Sequence, residues 1–229
     1  MPHLTTRSVR SFVLRQGRLT EGQRHNLDTL WPVHGVEVQD DVRFDIDALF
    51  PRAAPLWLEV GFGDGQSLAQ MAQAHPQINF LGIEVHLPGV GHLLGEIATR
   101  ELTNVRVVRH DAIEVLANNL PPACLQRVLL FFPDPWHKRR HHKRRIVNPE
   151  FVSLVDRALQ PDGVLHCATD WQPYARWIAD TLAGHQSLAA VANDDAEPVV
   201  AARPLTRFEN RGLKLGHEVS DLVFCKAAD

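Results

Sequence analysis

At 229 residues, 45% hydrophobic and 22% charged, the chain has the length and balance of one large globular domain, which excludes wholesale disorder. Its three cysteines, Cys124, Cys167 and Cys225, are widely spaced and form no C-x-x-C pair, which argues against a disulfide framework or a metal site, and no apolar run approaches a membrane span. The net charge of −3 suggests no polyanionic partner, but six of the 24 fixed cations fall in residues 137–145, leaving 18 cations against 27 acids elsewhere.

Residues 1–19 are basic and polar and are expected to be mobile until a ligand binds. Arg7, Arg10, Arg15, Arg18 and Arg24 face one acid, Glu21, in this region. A transit peptide has a similar composition. However, Thr20 and Gln23 have capping-box spacing, and Leu27, Leu30 and Trp31 follow at helical spacing until Pro32, where the helix is expected to stop. Residues 1–31 thus read as a basic segment and short helix before a single domain, 32–229.

From Leu56 the sequence alternates. Strands are expected at 56–60, 78–85, 105–108, 128–132 and 164–169, with helices through Leu68, Met71 and Ala72 and near 89–101, 112–119, 149–159 and 172–184. Pro161-Asp162-Gly163 is a turn signal, and β-branched and aromatic residues near 199–202 and 218–225 predict two last strands. This is an α/β pattern: a mostly parallel, seven-stranded sheet with helices on both faces, which binds ligands at the carboxyl ends of its strands.

Those ends carry distinctive residues. The first gives Glu59-Val-Gly61-Phe-Gly63-Asp-Gly65, a loop that lets backbone approach a ligand. The second ends in Glu84, 23 residues beyond Gly61, where a carboxylate typically accepts ribose hydroxyls. Asp111 follows the third, suited to an adenine amino group or to capping the next helix. These acids suggest a nucleoside cofactor. Glu59 beside the glycines would repel a pyrophosphate but suits the ammonium of a methionine moiety. The fourth strand ends in Phe132-Pro133-Asp134-Pro135-Trp136, similar to the acceptor corner of amino-group methyltransferases. The basic run follows without a break. Alone it could be a localisation signal or a solvated loop; joined to this corner it fits a nucleic-acid substrate.

The block from Pro133 to Arg145 resembles the hallmark of the tRNA (guanine-N7-)-methyltransferase family. Arg10 to Thr20, Gly82 to Gly89, Thr206 to Gly212 and His217 to Phe224 resemble further motifs of that family, in family order. The resemblance implies a Rossmann-like enzyme that uses S-adenosyl-L-methionine to methylate N7 of a guanosine in the tRNA variable loop. By position it implies that Glu59, Glu84, Asp111 and Asp134, with the loop glycines Gly61, Gly63 and Gly65, bind the cofactor, and that Asp134 is also catalytic. Lys138, Asp170, Thr206, Arg207, Phe208 and Glu209 match substrate-contacting positions; Arg207 stands where many members have Lys. Arg15, Arg18, Arg139, Arg140, Lys143, Arg144 and Arg145 are expected to meet tRNA phosphates. The expected enzyme is cytoplasmic, a monomer or homodimer, without a metal, a membrane association or an obligate protein partner. A methyltransferase of another RNA and a non-catalytic nucleic-acid-binding protein are the alternatives. Asp64, often uncharged in relatives, has no role assigned from the sequence.

Overall fold

The alternating apolar runs form a single sheet. In the computed structural model, residues 9–13, 17–201, 203–205, 209 and 218–228 are described. The sheet contains β1 (Gly35–Val36), β2 (Leu56–Val60), β3 (Asn79–Ile83), β4 (Val105–Val108), β5 (Leu125–Phe131), β6 (Leu159–Thr169), β7 (Leu188–Ala190) and β8 (Ser220–Lys226). Their spatial order is β1-β4-β3-β2-β5-β6-β8-β7. Pairing is parallel from β1 through β6 and antiparallel where β8 meets β6 and β7. Strand order reverses between β2 and β5, which opens a crevice at their carboxyl ends.

Side-chain alternation along the strands creates two apolar layers. Leu56, Leu58 and Val60 pack in one layer with Phe151, Val152 and Val155 of α6 (Pro149–Ala158) and Tyr174, Ile178 and Leu182 of α7 (Gln172–Ala183). Trp57 and Phe80 enter the other with Leu68 and Met71 of α3 (Gln66–Ala74) and Leu93, Leu94 and Ile97 of α4 (Leu87–Thr99). Both faces are therefore covered, as the near-continuous apolar strands require.

The capping box forms: Thr20 accepts from the Gln23 backbone, and Gln23 returns the bond to the Thr20 N–H. The resulting helix, α1 (Glu21–His34), continues past Pro32, and the Gly35 N–H closes on the Trp31 carbonyl. Proline removes one donor there without ending the helix. α1 lies on α4, where Gln23 and Asn26 donate to the Pro88 and Gly91 carbonyls.

Other boundaries also differ from expectation. Residues 199–201 belong to α8 (Asn193–Ala201), not to a strand; the free side of β8 is paired instead with β7. The pair Val199-Val200 has β-propensity, but propensity needs an unpaired edge to act on. The two-residue β1 adds an eighth strand beside β4. The Pro161–Gly163 signal is absorbed into β6, beside a register irregularity against β5. Two short helices complete the chain: α2 (Ile46–Leu49), capped by Asp45, and α5 (Ala112–Glu114), which widens into a π turn at Val115–Asn119.

Candidate active site

The glycine loop between β2 and α3 turns through left-handed backbone at Gly61 and Gly63, with φ of 72° and 63°. A Cβ on either would meet no atom of the described residues within 4 Å, so the loop presents bare backbone to open space. Helix α4 approaches so closely that a Cβ on Gly89 would lie 2.0 Å from the Gly63 carbonyl oxygen. Glu84, at the end of β3, fastens this arrangement. One carboxylate oxygen accepts from Gly63, and the other from the Val85 and His86 N–H groups.

Glu59 is 3% exposed, and its Oε2 has no hydrogen-bond partner among the described residues. Burial, reinforced by the nearby charges of Glu84 and Asp64, raises its pKa to about 8. It lines a cavity of about 340 Å³ with Gly61, Gly63, Phe131, Phe132 and Leu205. A second cavity of about 250 Å³ shares Gly61, Gly63, Phe131 and Phe132 and adds Glu84, Asp111 and Asp134. The two therefore adjoin across the strand-order reversal. Asp111 lines the second cavity, and its Oδ1 accepts from the Ile113 N–H to cap α5, the second of its two expected roles. Burial raises its pKa against that bond. Asp64 also acts at a helix start, accepting from the Gln66 N–H.

The corner after β5 is strained. Phe132 and Trp136 adopt φ of 50° and 48°, a region that non-glycine residues rarely occupy. Three bonds hold it: the Phe132 N–H to the Ala168 carbonyl, Trp136 Nε1–H to the Ser11 carbonyl, and Arg145 Nε–H to the Pro135 carbonyl. Asp134, exposed at the tip of the corner, lines both the second cavity and an open groove of about 750 Å³. Glu84 and Phe12 line both as well. Trp136, His137, Lys138 and His141 give the groove its basic and aromatic wall.

The basic run is a 3-10 turn over Arg139–Arg144. Lys138, Arg139, Arg140 and Lys143 are exposed; Arg144 is half-buried over the Trp136 ring, 5.1 Å from its centroid. Arg145 departs from its expected role as a phosphate contact. It is 4% exposed, and its guanidinium lies 4.9 and 5.0 Å from the Tyr174 and Trp177 ring centroids. It is committed inside the fold, where it ties the basic turn to the strained corner. Spacing alone does not distinguish such an anchor from its solvated neighbours.

Arg18 is exposed. Asp170 is half-buried at the end of β6, next to Trp171, whose ring meets His137 edge-on at 4.5 Å. Glu209 is 5% exposed and bonded to Arg203. Arg15, Thr206, Arg207 and Phe208 lie outside the described residues. Phe12 is a lining residue that the sequence did not reveal; nothing in a basic, polar segment distinguishes one phenylalanine as a cavity wall. Among the described residues, none form a cluster of His, Cys, Asp and Glu able to hold a metal.

Comparison with known proteins places this geometry. Residues 53–222 match a family model described as a putative methyltransferase. A tRNA (guanine-N(7)-)-methyltransferase of Serratia proteamaculans is 56% identical over 95% of this chain and 91% of its own. One from Nitrosospira multiformis is 50% identical over 98% and 97%. The chain belongs to the tRNA (guanine-N(7)-)-methyltransferase family. Solved structures share the fold at low identity. The 16S rRNA methyltransferase KamB has a TM-score of 0.57 at 15% identity, covering 85% of this chain and 98% of its own. The [4+2]-cyclase SpnF has a TM-score of 0.54 at 13% identity, covering 95% and 88%. A cyclase on the same scaffold shows that the fold alone does not fix the chemistry.

Glu59 and Arg145, both buried, each yield a prediction. Glu59 has a raised folded pKa, so the folded state holds its proton between pH 4.5 and about 8 while the unfolded chain has released it. Stability contributed by this group is therefore lost as pH rises through that window. Denaturant titrations of wild type and Glu59→Gln should show this slope only in wild type. Separately, Arg145→Ala should lower unfolding stability by roughly 2 kcal/mol or more, whereas Arg139→Ala should change it by less than about 0.5 kcal/mol, as read from urea midpoints.

Proposed function

We infer that this chain transfers a methyl group from S-adenosyl-L-methionine to N7 of a guanosine in tRNA, with Asp134 at the point where donor and acceptor meet. The observation that carries the residue assignment is that Asp134 lines both the acid-rich cavity and the basic groove. The two adjoining cavities together fit the donor: in the first, the Glu59 carboxylate oxygen that has no partner among the described residues suits the ammonium of a methionine moiety, and the bare glycine backbone shared with the second leaves room between them. In this reading Glu59 holds the ammonium, Glu84 the ribose hydroxyls and Asp111 the adenine amino group.

S-adenosyl-L-methionine supplies a methyl group on a positively charged sulfur. Guanine N7 has a lone pair and carries no proton at neutral pH, so forming the N–C bond as the C–S bond breaks requires no general base. Charge moves onto the guanine, where the Asp134 carboxylate favours it. Aligning the reacting atoms can contribute about 7–11 kcal/mol. Asp170 and Glu209, with Lys138, are assigned to the acceptor guanosine, together with Thr206, Arg207 and Phe208. In A-form RNA, N7 lies in a groove too narrow for side chains, so the base must be presented opened or unpaired. Exposed Arg139, Arg140 and Lys143, with Arg144, Arg18 and Arg15, are assigned to tRNA phosphates. No helix among the described residues is long and apolar enough to cross a membrane. Three dispersed free thiols favour a reducing compartment, in keeping with a cytoplasmic location.

Three measurements test this reading. Asp134→Ala should abolish methyl incorporation while tRNA affinity stays within a few-fold; near-normal turnover would remove Asp134 from the mechanism. Borohydride–aniline cleavage of the product tRNA locates N7-methylguanosine and separates this activity from methylation elsewhere. Neutralising Arg139, Arg140 and Lys143 should reduce the slope of log affinity against log salt by roughly 0.7 per lost phosphate contact. An unchanged slope would make the basic turn a bystander.

Donor binding gives a sharper check. Burial, with the charges of Glu84 and Asp64 behind it, keeps the free Glu59 carboxyl protonated up to about pH 8. Pairing with an ammonium ionises it, so binding near pH 7 should release a proton. Calorimetry in buffers of different ionisation enthalpy reads that release, which should vanish in Glu59→Gln along with roughly ten- to hundred-fold of affinity.

A further inference from the structure

Beside the cavity that holds Glu59 lies a buried ionic network in which Glu209 is joined to Arg203, Asp221 and His166, three residues that have no assigned role. Arg203 donates through Nη1 and Nη2 to the two oxygens of Glu209, at 2.5 and 2.9 Å. Through Nε and Nη2 it also donates to the two oxygens of Asp221, at 2.9 and 3.0 Å. Asp221 in turn accepts from His166 Nε2 at 2.7 Å. The Arg203 side chain is 6% exposed and that of Glu209 7%. The guanidinium carbon lies 5.7 Å from the ring centroids of both Phe131 and Phe132, which line the Glu59 cavity as Leu205 does. The network thus joins β6, through His166, and β8, through Asp221, to the segment that carries Glu209.

A single ion pair would suffice to tether that segment. Here a planar fork grips both oxygens of Glu209 while its other edge is locked by Asp221, so the plane of the Glu209 carboxylate is fixed relative to the cavity wall. A carboxylate held in a fixed plane suits an edge offering two donors, as guanine does with N1–H and its 2-amino group.

We infer that Arg203 is a positioning residue for guanosine selection: it sets the orientation in which Glu209 meets the donor edge of the acceptor base. This rests on the reading of Glu209 as a guanine contact. The two can be tested apart with tRNA carrying either guanosine or inosine at the methylated position, since inosine lacks the 2-amino group. kcat and KM would be measured for wild type, Arg203→Lys, Glu209→Gln and the double variant, with donor affinity followed by calorimetry.

Wild type should prefer guanosine over inosine roughly ten- to hundred-fold, the value of a hydrogen bond to a charged group. Arg203→Lys should bring that preference close to parity with donor affinity unchanged, because lysine keeps the charge but loses the fork. The double variant should be no worse than Glu209→Gln alone. If Arg203→Lys slows both tRNAs equally and keeps the preference, Arg203 is a structural brace and the inference is overturned while Glu209 keeps its role. If Glu209→Gln keeps the preference, the guanine contact itself is wrong and the inference falls with it. Should Arg203→Lys not fold, Asp221→Asn loosens the same fork from its far side and should reduce the preference in part. A folded Asp221→Asn protein with full preference would overturn the proposal.

Discussion

Burying the Glu59 carboxyl, with no partner among the described residues for one of its oxygens, disfavours its charge, and the neighbouring structure is arranged around that cost. Glu84 stands close enough to add to the effect, yet its own carboxylate is satisfied by three backbone N–H groups. Removing a buried polar atom from water without a replacement bond is among the more expensive things a fold can do. Its persistence at the floor of an open crevice makes sense when a cationic ligand completes the site. The left-handed glycines and the strand-order reversal between β2 and β5 make the space into which that ligand fits.

The second requirement is to hold a dense cationic turn beside this acidic crevice. Arg145 does so by giving up its own access to solvent. Packed between Tyr174 and Trp177 and bonded to the Pro135 carbonyl, it ties the turn to the corner that carries Asp134. The exposed cations are then available for polyanion binding within reach of the donor cavity. Two opposite electrostatic surfaces thus share one wall, and Asp134 stands on it.

Much of this was legible in the residues. Apolar runs located five parallel strands because strands buried on both faces must be apolar throughout, and the Thr20–Gln23 spacing located the start of α1. The acids at strand ends were legible because the topology brings those ends together. What escaped detection depended on context that a linear pattern does not contain. Val199-Val200 looked like a strand, but the edge it needed was occupied by β7. Arg145 looked like its neighbours because burial is decided by Tyr174 and Trp177, some 30 residues further along. Phe12 lines the crevice beside Ser11, whose carbonyl accepts from the Trp136 indole N–H, a link that no local signal announces.

The left-handed backbone at Phe132 and Trp136 carries an implication for how this scaffold tolerates change. Each such residue costs about 1–3 kcal/mol, against a total folding stability of about 5–15 kcal/mol for a domain. Glycine at either site would relieve that strain, but it would also delete the Phe132 ring that packs against the core, or the Trp136 indole that bonds the Ser11 carbonyl and underlies Arg144. Losing a packed aromatic ring typically costs about 3–5 kcal/mol, more than the strain recovered, so each residue is locked into its unfavourable backbone by its own side chain, and a hardier variant has to be sought elsewhere on the scaffold.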